Sequence, residues 1–389
     1  MSASPALAAP PEVALSARLQ PLHFADLVGF AQDDHFAAFT LFALHADAIL
    51  SDCAPLRPAL RPSAAFHAVC RRALDEPPQN ALAARRFFEE NFAPFRVLPL
   101  TPAGAGSGFV TGYYEPIVAG SLTRSSQFTA PILSRPADLV TLASGETEPG
   151  LAAGLSAARL LPDGSHAAYP DRAAIESGAI AGHAQPLVWL ADSVEVFFAQ
   201  VQGSLRVVLP DGRQLRFTYA GRNGHPYTSI GRLLVDAGEI PREDMGLERV
   251  KTWIRERGQA PGEAGAALML RNKSYVFFAQ KTGLADADGP IGGAGLSLSP
   301  LRSIAVDRGI WCYGLPFWLA GELPWRTDSS MPFRRLMIAG DTGSAIVGPA
   351  RADIFFGSGA AAGRRAGSIR HDCDFIVLLP RRDGEVGQE

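Results

Sequence analysis

Cysteine is scarce in this chain. There are four in 389 residues, Cys53, Cys70, Cys312 and Cys373, and none sits in a C-x-x-C spacing, which excludes a zinc ribbon and a thioredoxin-type redox motif. The spacings leave open both disulfide pairing (Cys53 with Cys70, Cys312 with Cys373) and free buried thiols. The eight histidines are scattered and no H-E-x-x-H occurs, so no metal site is expected. Neither charge sign is in excess: 36 basic and 39 acidic residues give a net charge of −3. That excludes the concentrated basic face of a nucleic-acid binder. No run of eighteen apolar residues is present, which excludes a membrane-spanning helix of the usual kind. The glycine-rich run Gly289–Gly295 has no Lys-Ser or Lys-Thr after it and no Rossmann spacing. It therefore reads as a turn that lets backbones approach closely, not as a phosphate loop. The opening MSASPALAAPPEVALSA lacks a basic start and an apolar core. It is expected to be neither a complete signal peptide nor ordered, and residues 1–20 are read as a disordered start. No internal repeat is visible.

Hydrophobic residues make up 47% of the chain, enough to fill the cores of about two domains. Apolar residues at three-to-four spacing predict helices around 37–44, 66–74 and 81–92. The segment 108–116 then reads as a strand. Residues 120–180 are turn-rich with weak periodicity. The stretches 188–202 and 205–218 alternate apolar and polar residues, and Asp211-Gly212 is a hairpin signal. Helices are expected over 229–237 and 245–256, and a strand over 274–280. From 283 onward only short strands are expected (302–306, 316–319, 334–339, 345–347 and 375–379), separated by glycine turns. That pattern fits a small barrel better than a βαβ fold.

Two segments stand out chemically. Ile338–Gly357, IAGDTGSAIVGPARADIFFG, carries Asp341 and Asp353 among Gly, Ala, Ile and Phe. Burial raises a carboxyl pKa, and a carboxyl that keeps its proton near neutrality is suited to acid catalysis of glycosidic cleavage. For an arbitrary pair of aspartates, turn or cap roles are the favoured plain reading, and the motifs around this pair weigh against it. Gly108–Pro116, GFVTGYYEP, offers Thr111, Tyr113, Tyr114 and Glu115 as candidate substrate-binding residues. Aromatic faces beside hydroxyl and carboxylate groups suit sugar rings, while a core tyrosine with a satisfied hydroxyl is the plain alternative. The loop 219–227, YAGRNGHPY, is read as a hairpin-to-helix connection, with binding of a carboxylate or amide as the second reading. Asp341-Thr342-Gly343 also matches the D-T-G signature of aspartic proteases. With one copy in the chain, a protease would need a homodimer.

Seven segments in order carry a resemblance: GFVTGYYEP, VEVFFAQVQGSLRVVLPDG, YAGRNGHPYTSIGRLL, NKSYVFF, GPIGGAGLSLSPLRSIAVD, AGDTGSAI and RADIFFGSG. From about residue 108 to 379 the chain resembles the membrane-bound lytic murein transglycosylase A family. The first hundred residues match only weakly. The resemblance implies a mainly β protein with helices: a double-psi β-barrel domain of the barwin and endoglucanase kind, an inserted β-rich domain, and a groove between them. The corresponding expectation is a helical N-terminal segment plus barrel over 21–118 and 283–389, with the insert at 119–282. The implied reaction cleaves the β-1,4 bond from N-acetylmuramic acid to N-acetylglucosamine in peptidoglycan and leaves a 1,6-anhydromuramoyl end. The enzyme is then a lyase (EC 4.2.2.-) that needs no cofactor and no metal.

By the same resemblance, the aspartate of R-x-D-x-F-x-G, here Asp353, is the acid and base. The aspartate of D-T-G-x-A-I, here Asp341, supports it, and the Thr-Gly-Tyr-Tyr strand borders the substrate. One acid suffices because the substrate's own 6-hydroxyl is the nucleophile. A well-oriented intramolecular nucleophile supplies about 7–11 kcal/mol of a barrier in model reactions. The expected partners are peptidoglycan glycan strands, with no nucleic acid, and the expected state is a monomer. Family members are typically outer-membrane lipoproteins with a lipid-modified cysteine near the start. The first cysteine here is Cys53, so a soluble periplasmic enzyme is expected. The competing classes are a dimeric aspartic protease and a glycan-binding barrel without activity.

Overall fold

A computed structural model of the chain describes residues 16–101, 104–142 and 151–381. The described chain divides into two compact units. One comprises the residues up to Tyr113, Ile291–Gly357 and the residues from Ser368; the other comprises Tyr114–Pro290 and Ser358–Gly367.

The first unit begins with a strand, Ala17–Pro21, paired antiparallel with Phe92–Thr101. Residues 17–20, read above as part of a disordered start, are therefore ordered from Ala17 onward, because an unpaired edge is available to receive them. The rest of that expectation lies outside the described residues. Three helices follow: His35–Leu50, Ala64–Asp75 and Ala81–Asn91. Each starts where a polar side chain caps it. Asp34 accepts from Ala37 N, Ser63 from Phe66 N and Asn80 from Ala83 N, and such caps typically contribute about 1 kcal/mol each. Their apolar faces meet in a phenylalanine cluster, in which Phe42 lies 5.8–6.0 Å from the rings of Phe66, Phe87, Phe88 and Phe92.

Six strands close into a barrel in the order Arg370–Pro380, Pro316–Leu323, Met331–Asp341, Ser303–Val306, Arg351–Ser358 and Gly108–Glu115; the last pairs back with the first. Ser303–Val306 runs parallel to Met331–Asp341 and antiparallel to Arg351–Ser358. A buried, bidentate Arg302–Asp33 pair (2.6 and 2.9 Å) fastens the residue before the first helix cap to the barrel. Asp33 also accepts from Leu336 N, so its charge is fully partnered. Buried charges are tolerated only on such terms.

The second unit is built on a six-stranded sheet in the order Val276–Lys281, Gln214–Arg222, Ser204–Val208, Ile117–Ser121, Pro186–Leu190 and Ala130–Leu133. A three-stranded sheet, Leu139–Thr141, Ala157–Leu160 and His166–Ala168, accompanies it. The expected hairpin is present: Gly212, at φ 85°, turns the chain between Ser204–Val208 and Gln214–Arg222. The loop at 219–227 connects the strand Gln214–Arg222 to the helix Ile230–Asp236. Asn223 is fully buried; its side-chain amide donates to Pro170 O and Lys273 O, and its Oδ1 accepts from Tyr275 N.

Four local expectations need correction. Within 188–202, only Pro186–Leu190 is a strand and Ser193–Gln202 is a helix, capped by Asp192 and ended by left-handed Gly203. Val194, Phe197 and Phe198 enter one core while Val196 and Ala199 enter another. A helix buried on two sides loses the single apolar stripe that marks an amphipathic helix. Gly359–Gly367 is a helix in a region expected to hold only strands. Ala345–Val347 is a turn, and Arg351–Ser358, to which no strand was assigned, is one. The thiols of Cys53, Cys70, Cys312 and Cys373 are all free.

Candidate active site

The site grows from the register of one short strand. Ala305 pairs with Asp341 on the parallel side and with Asp353 on the antiparallel side. Two strand spacings put the aspartate Cα atoms about 9–10 Å apart. Residues paired across strands project from one face. On that face Ala305 packs with Tyr113, Leu298, Ile346 and Phe355 in a small apolar cluster. The strand Gly108–Glu115 borders Arg351–Ser358, and its residues 111 and 113 share a face by the period of two. Both reach the acids. Thr111 Oγ1 donates to Asp353 Oδ1 at 2.5 Å, and Tyr113 Oη donates to Asp341 Oδ2 at 3.0 Å.

Asp341 sits in a cradle of backbone. Gly293 N and Thr342 N both donate to its Oδ1, at 2.7 and 2.8 Å. The glycine run allows this. A Cβ on Gly292 would stand 2.6 Å from Gly340 O, and one on Gly293 would stand 2.5 Å from Tyr313 Oη. Burial raises the Asp341 pKa, against the opposing pull of Arg57 and of the donors around the carboxylate. Asp353 is partly exposed. Its pKa is also raised, first by burial and further by the charge of Asp341, while Arg351 and the Thr111 hydroxyl pull it down. Arg351 Nη2 donates to Thr111 Oγ1 at 2.6 Å, and its guanidinium lies over the Phe109 ring. Burial and both aspartates hold the Tyr113 phenol well above its ordinary pKa, so it stays a neutral donor. The result is a carboxyl whose pKa is raised by burial in a residue that is still partly exposed.

Four of the six candidate residues therefore meet: Asp341, Asp353, Thr111 and Tyr113. Tyr114 and Glu115 do not join them. Tyr114 projects from the other face of its strand, is buried, and has its ring against Gly363. Glu115 is 1% exposed. It accepts from Arg206 Nε and from Ser358 Oγ, both at 2.6 Å. Both of its neighbours belong to the second unit, so Glu115 is a buried carboxylate paired within that unit. Sequence reasoning had no role for Arg351, Arg57 or the Gly293 amide. The first lies two residues before Asp353, and the close-approach reading of the glycine run was the available signal for the last. Among the described residues, no group of three or more His, Cys, Asp or Glu side chains is placed to hold a metal ion.

The MltA specific insert domain model matches residues 109–279, and the 3D domain model matches residues 302–379. The chain is 36% identical to the crystal structure of a membrane-bound lytic murein transglycosylase from Agrobacterium tumefaciens, with a TM-score of 0.82, covering 93% of this chain and 98% of that one. It belongs to the membrane-bound lytic murein transglycosylase A family. MltA from Neisseria gonorrhoeae is 28% identical, with a TM-score of 0.72 over 96% of this chain and 94% of that one. The curated Escherichia coli (strain K12) family member is 34% identical over 271 residues, 67% of this chain. The match spans 62% of that protein's own length.

Proposed function

We propose that this protein is a lytic transglycosylase of the periplasm that cleaves the β-1,4 bond from N-acetylmuramic acid to N-acetylglucosamine in peptidoglycan glycan strands and forms a 1,6-anhydromuramoyl end. Family membership supports the substrate class, since the relatives are named lytic murein transglycosylases. Their description as membrane-bound supports action at the cell envelope. The observation that carries the chemistry is Asp353: a carboxyl raised by burial, partly open to solvent, and held at Oδ1 by Thr111.

In this mechanism protonated Asp353 gives its proton to the glycosidic oxygen as the bond to the muramoyl C1 breaks. The resulting carboxylate then takes the proton of the 6-hydroxyl as that oxygen closes on C1. The proton count balances within one residue, and no water enters the product. A hydrolase would need a second carboxylate as nucleophile or as base for water. The charge of Asp341 adds to burial in raising the Asp353 pKa and so favours its protonated form in the resting state. Tyr113 is the neutral donor that orients Asp341. The aspartic-protease reading has less support: its two acids share a proton about 3 Å apart, whereas each aspartate here has its own set of donors.

Incubation with purified sacculi followed by mass spectrometry tests the proposal. Muropeptides with anhydro ends are the expected product. Reducing ends, cut stem peptides or binding without products would each overturn it.

A further inference from the structure

The loop between the first two helices, 51–63, belongs to the part of the chain whose sequence carried no functional signal. It lies along the glycine run. Arg57 N donates to Gly293 O at 3.0 Å, Leu60 N donates to Arg308 O at 3.1 Å, and Arg308 Nη1 returns a bond to Pro58 O at 2.9 Å. The guanidinium of Arg57 reaches Thr342, where Nη1 donates to the carbonyl at 2.7 Å. Gly293 and Thr342 are the two residues whose N–H groups hold Asp341 Oδ1. One residue thus grips, from behind, the carbonyls of both peptide donors in the cradle. Gripping a carbonyl fixes the tilt of the neighbouring residue's peptide planes, and polarisation along such a chain strengthens each bond in it.

We propose that Arg57 is the positioning residue of this site: by anchoring Gly293 and Thr342 it fixes the Asp341 carboxylate, and through Asp341 it governs the proton on Asp353. The inference rests on the reaction proposed above for its kinetic readouts, though not for its spectroscopic one. The charge order supports it. Arg57 is the foremost influence lowering the pKa of Asp341 and opposing its burial. The other titratable or charged groups around Asp341 are Asp353, Tyr113 and Tyr313, with Arg308 near Tyr313. His45, near Gly340, is pushed down by burial to about 4 and is neutral in the working range. Arg57 is therefore the cation that most opposes the burial-driven rise of the Asp341 pKa. The Tyr313 hydroxyl is buried, has no hydrogen-bond partner, and borders Gly293.

The test compares wild type, Arg57→Met, Arg57→Lys, Asp341→Asn and the Arg57→Met/Asp341→Asn double variant. Anhydro ends released from purified sacculi and from soluble glycan strands are measured across pH, with thermal unfolding alongside. Arg57→Met is expected to lower kcat about 10- to 100-fold, the scale of a small misplacement of a reacting group, with little change in KM. Its acid limb moves to higher pH, because Asp341 without its cation protonates sooner. Arg57→Lys keeps the limb in place and recovers most of kcat. The double variant is no slower than Asp341→Asn, since the two act through one group. Equal losses in both backgrounds, or an unmoved acid limb in Arg57→Met, would overturn the inference. If Arg57→Met does not fold, Arg57→Lys is compared in both backgrounds: about 3-fold slower in wild type and unchanged in Asp341→Asn. An additive loss there is the overturning result. The Asp341 carboxyl titration, followed by 13C NMR in wild type and Arg57→Lys or Arg57→Met, needs no activity. A pKa that rises in Arg57→Met, and less or not at all in Arg57→Lys, supports the inference. An unmoved pKa in Arg57→Met overturns it; where only Arg57→Lys folds, the additive kinetic loss named above is the deciding result. Failure of wild type to make anhydro ends would remove the proposed reaction and leave the NMR result to decide on Arg57.

Discussion

The hydroxyl of Thr111 stands between a cation and an acid: it accepts from Arg351 Nη2 at 2.6 Å and donates to Asp353 Oδ1 at 2.5 Å. It is the joint through which Arg351 acts on the acid. Its hydrogen bond favours the ionised form of Asp353 and so lowers that group's pKa against the upward push of burial. Thr111→Val keeps the shape and removes the bond. The Asp353 pKa should rise, and the alkaline limb of kcat, set by loss of the Asp353 proton, should move to higher pH. A kcat lowered about 10-fold, of the order of one lost hydrogen bond to a charged group, is expected alongside. A pH–rate profile on soluble glycan strands checks both.

Asp353→Asn should lower the release of anhydro ends by about 10²–10⁴-fold, the range of general acid–base catalysis. Asp341→Asn should lower it less, about 10- to 100-fold, because it tunes the acid without exchanging a proton with substrate. Product analysis of digested sacculi, with circular dichroism to verify folding, separates the two. Equal losses would remove the division of labour between them.

The same substitution has a stability signature whose sign is fixed by linkage. The folded-state pKa of Asp353 is raised by burial, so the native state binds this proton more tightly than the unfolded chain. Stability contributed by the protonated form is fully present below the ordinary carboxylate value of about 4 and is lost as pH rises through the raised native value. Asn carries no such penalty. Asp353→Asn should raise Tm at pH 7 by about 2–4 °C, the effect of ~1 kcal/mol in a unit of this size. The gain should vanish near pH 4. Calorimetry at the two pH values decides.

Glu115 offers the opposite outcome. Its partner Arg206 is 8% exposed at the side chain and also donates to Asp286 O and Asp288 O. Glu115→Ala leaves that cation buried without its counter-charge. A loss of about 3–5 kcal/mol in denaturant unfolding is expected, with KM of the remaining folded protein unchanged. A raised KM with normal stability would return Glu115 to the substrate.

The legible part of this molecule was what repeats locally. Phe39 and Phe42, or Ala84 with Phe87 and Phe88, recur at helical spacing, and Asp211-Gly212 announces its hairpin. Asp341 and Asp353 were legible as acids because their neighbours are small or apolar. Their convergence was not, since it comes from register: both lie opposite Ala305, and no one-dimensional pattern states which residue a strand will face. The Ser193–Gln202 helix was hidden for a related reason. It is covered by two cores, and its cap Asp192 and stop Gly203 were weaker signals than the false alternation between them. Arg57 was invisible because its part is played through the carbonyls of Gly293 and Thr342, which any residue possesses.

The barrel closes through its last strand. Arg370–Pro380 pairs with Phe92–Thr101, Gly108–Glu115 and Pro316–Leu323, so the strand that carries Thr111 and Tyr113 waits for a neighbour more than two hundred and fifty residues downstream. Closure across such a separation carries a large entropic cost before any contact repays it. The strand that positions Thr111 beside Asp353 therefore stays without this partner until residues 370–373 have been made and have paired with it.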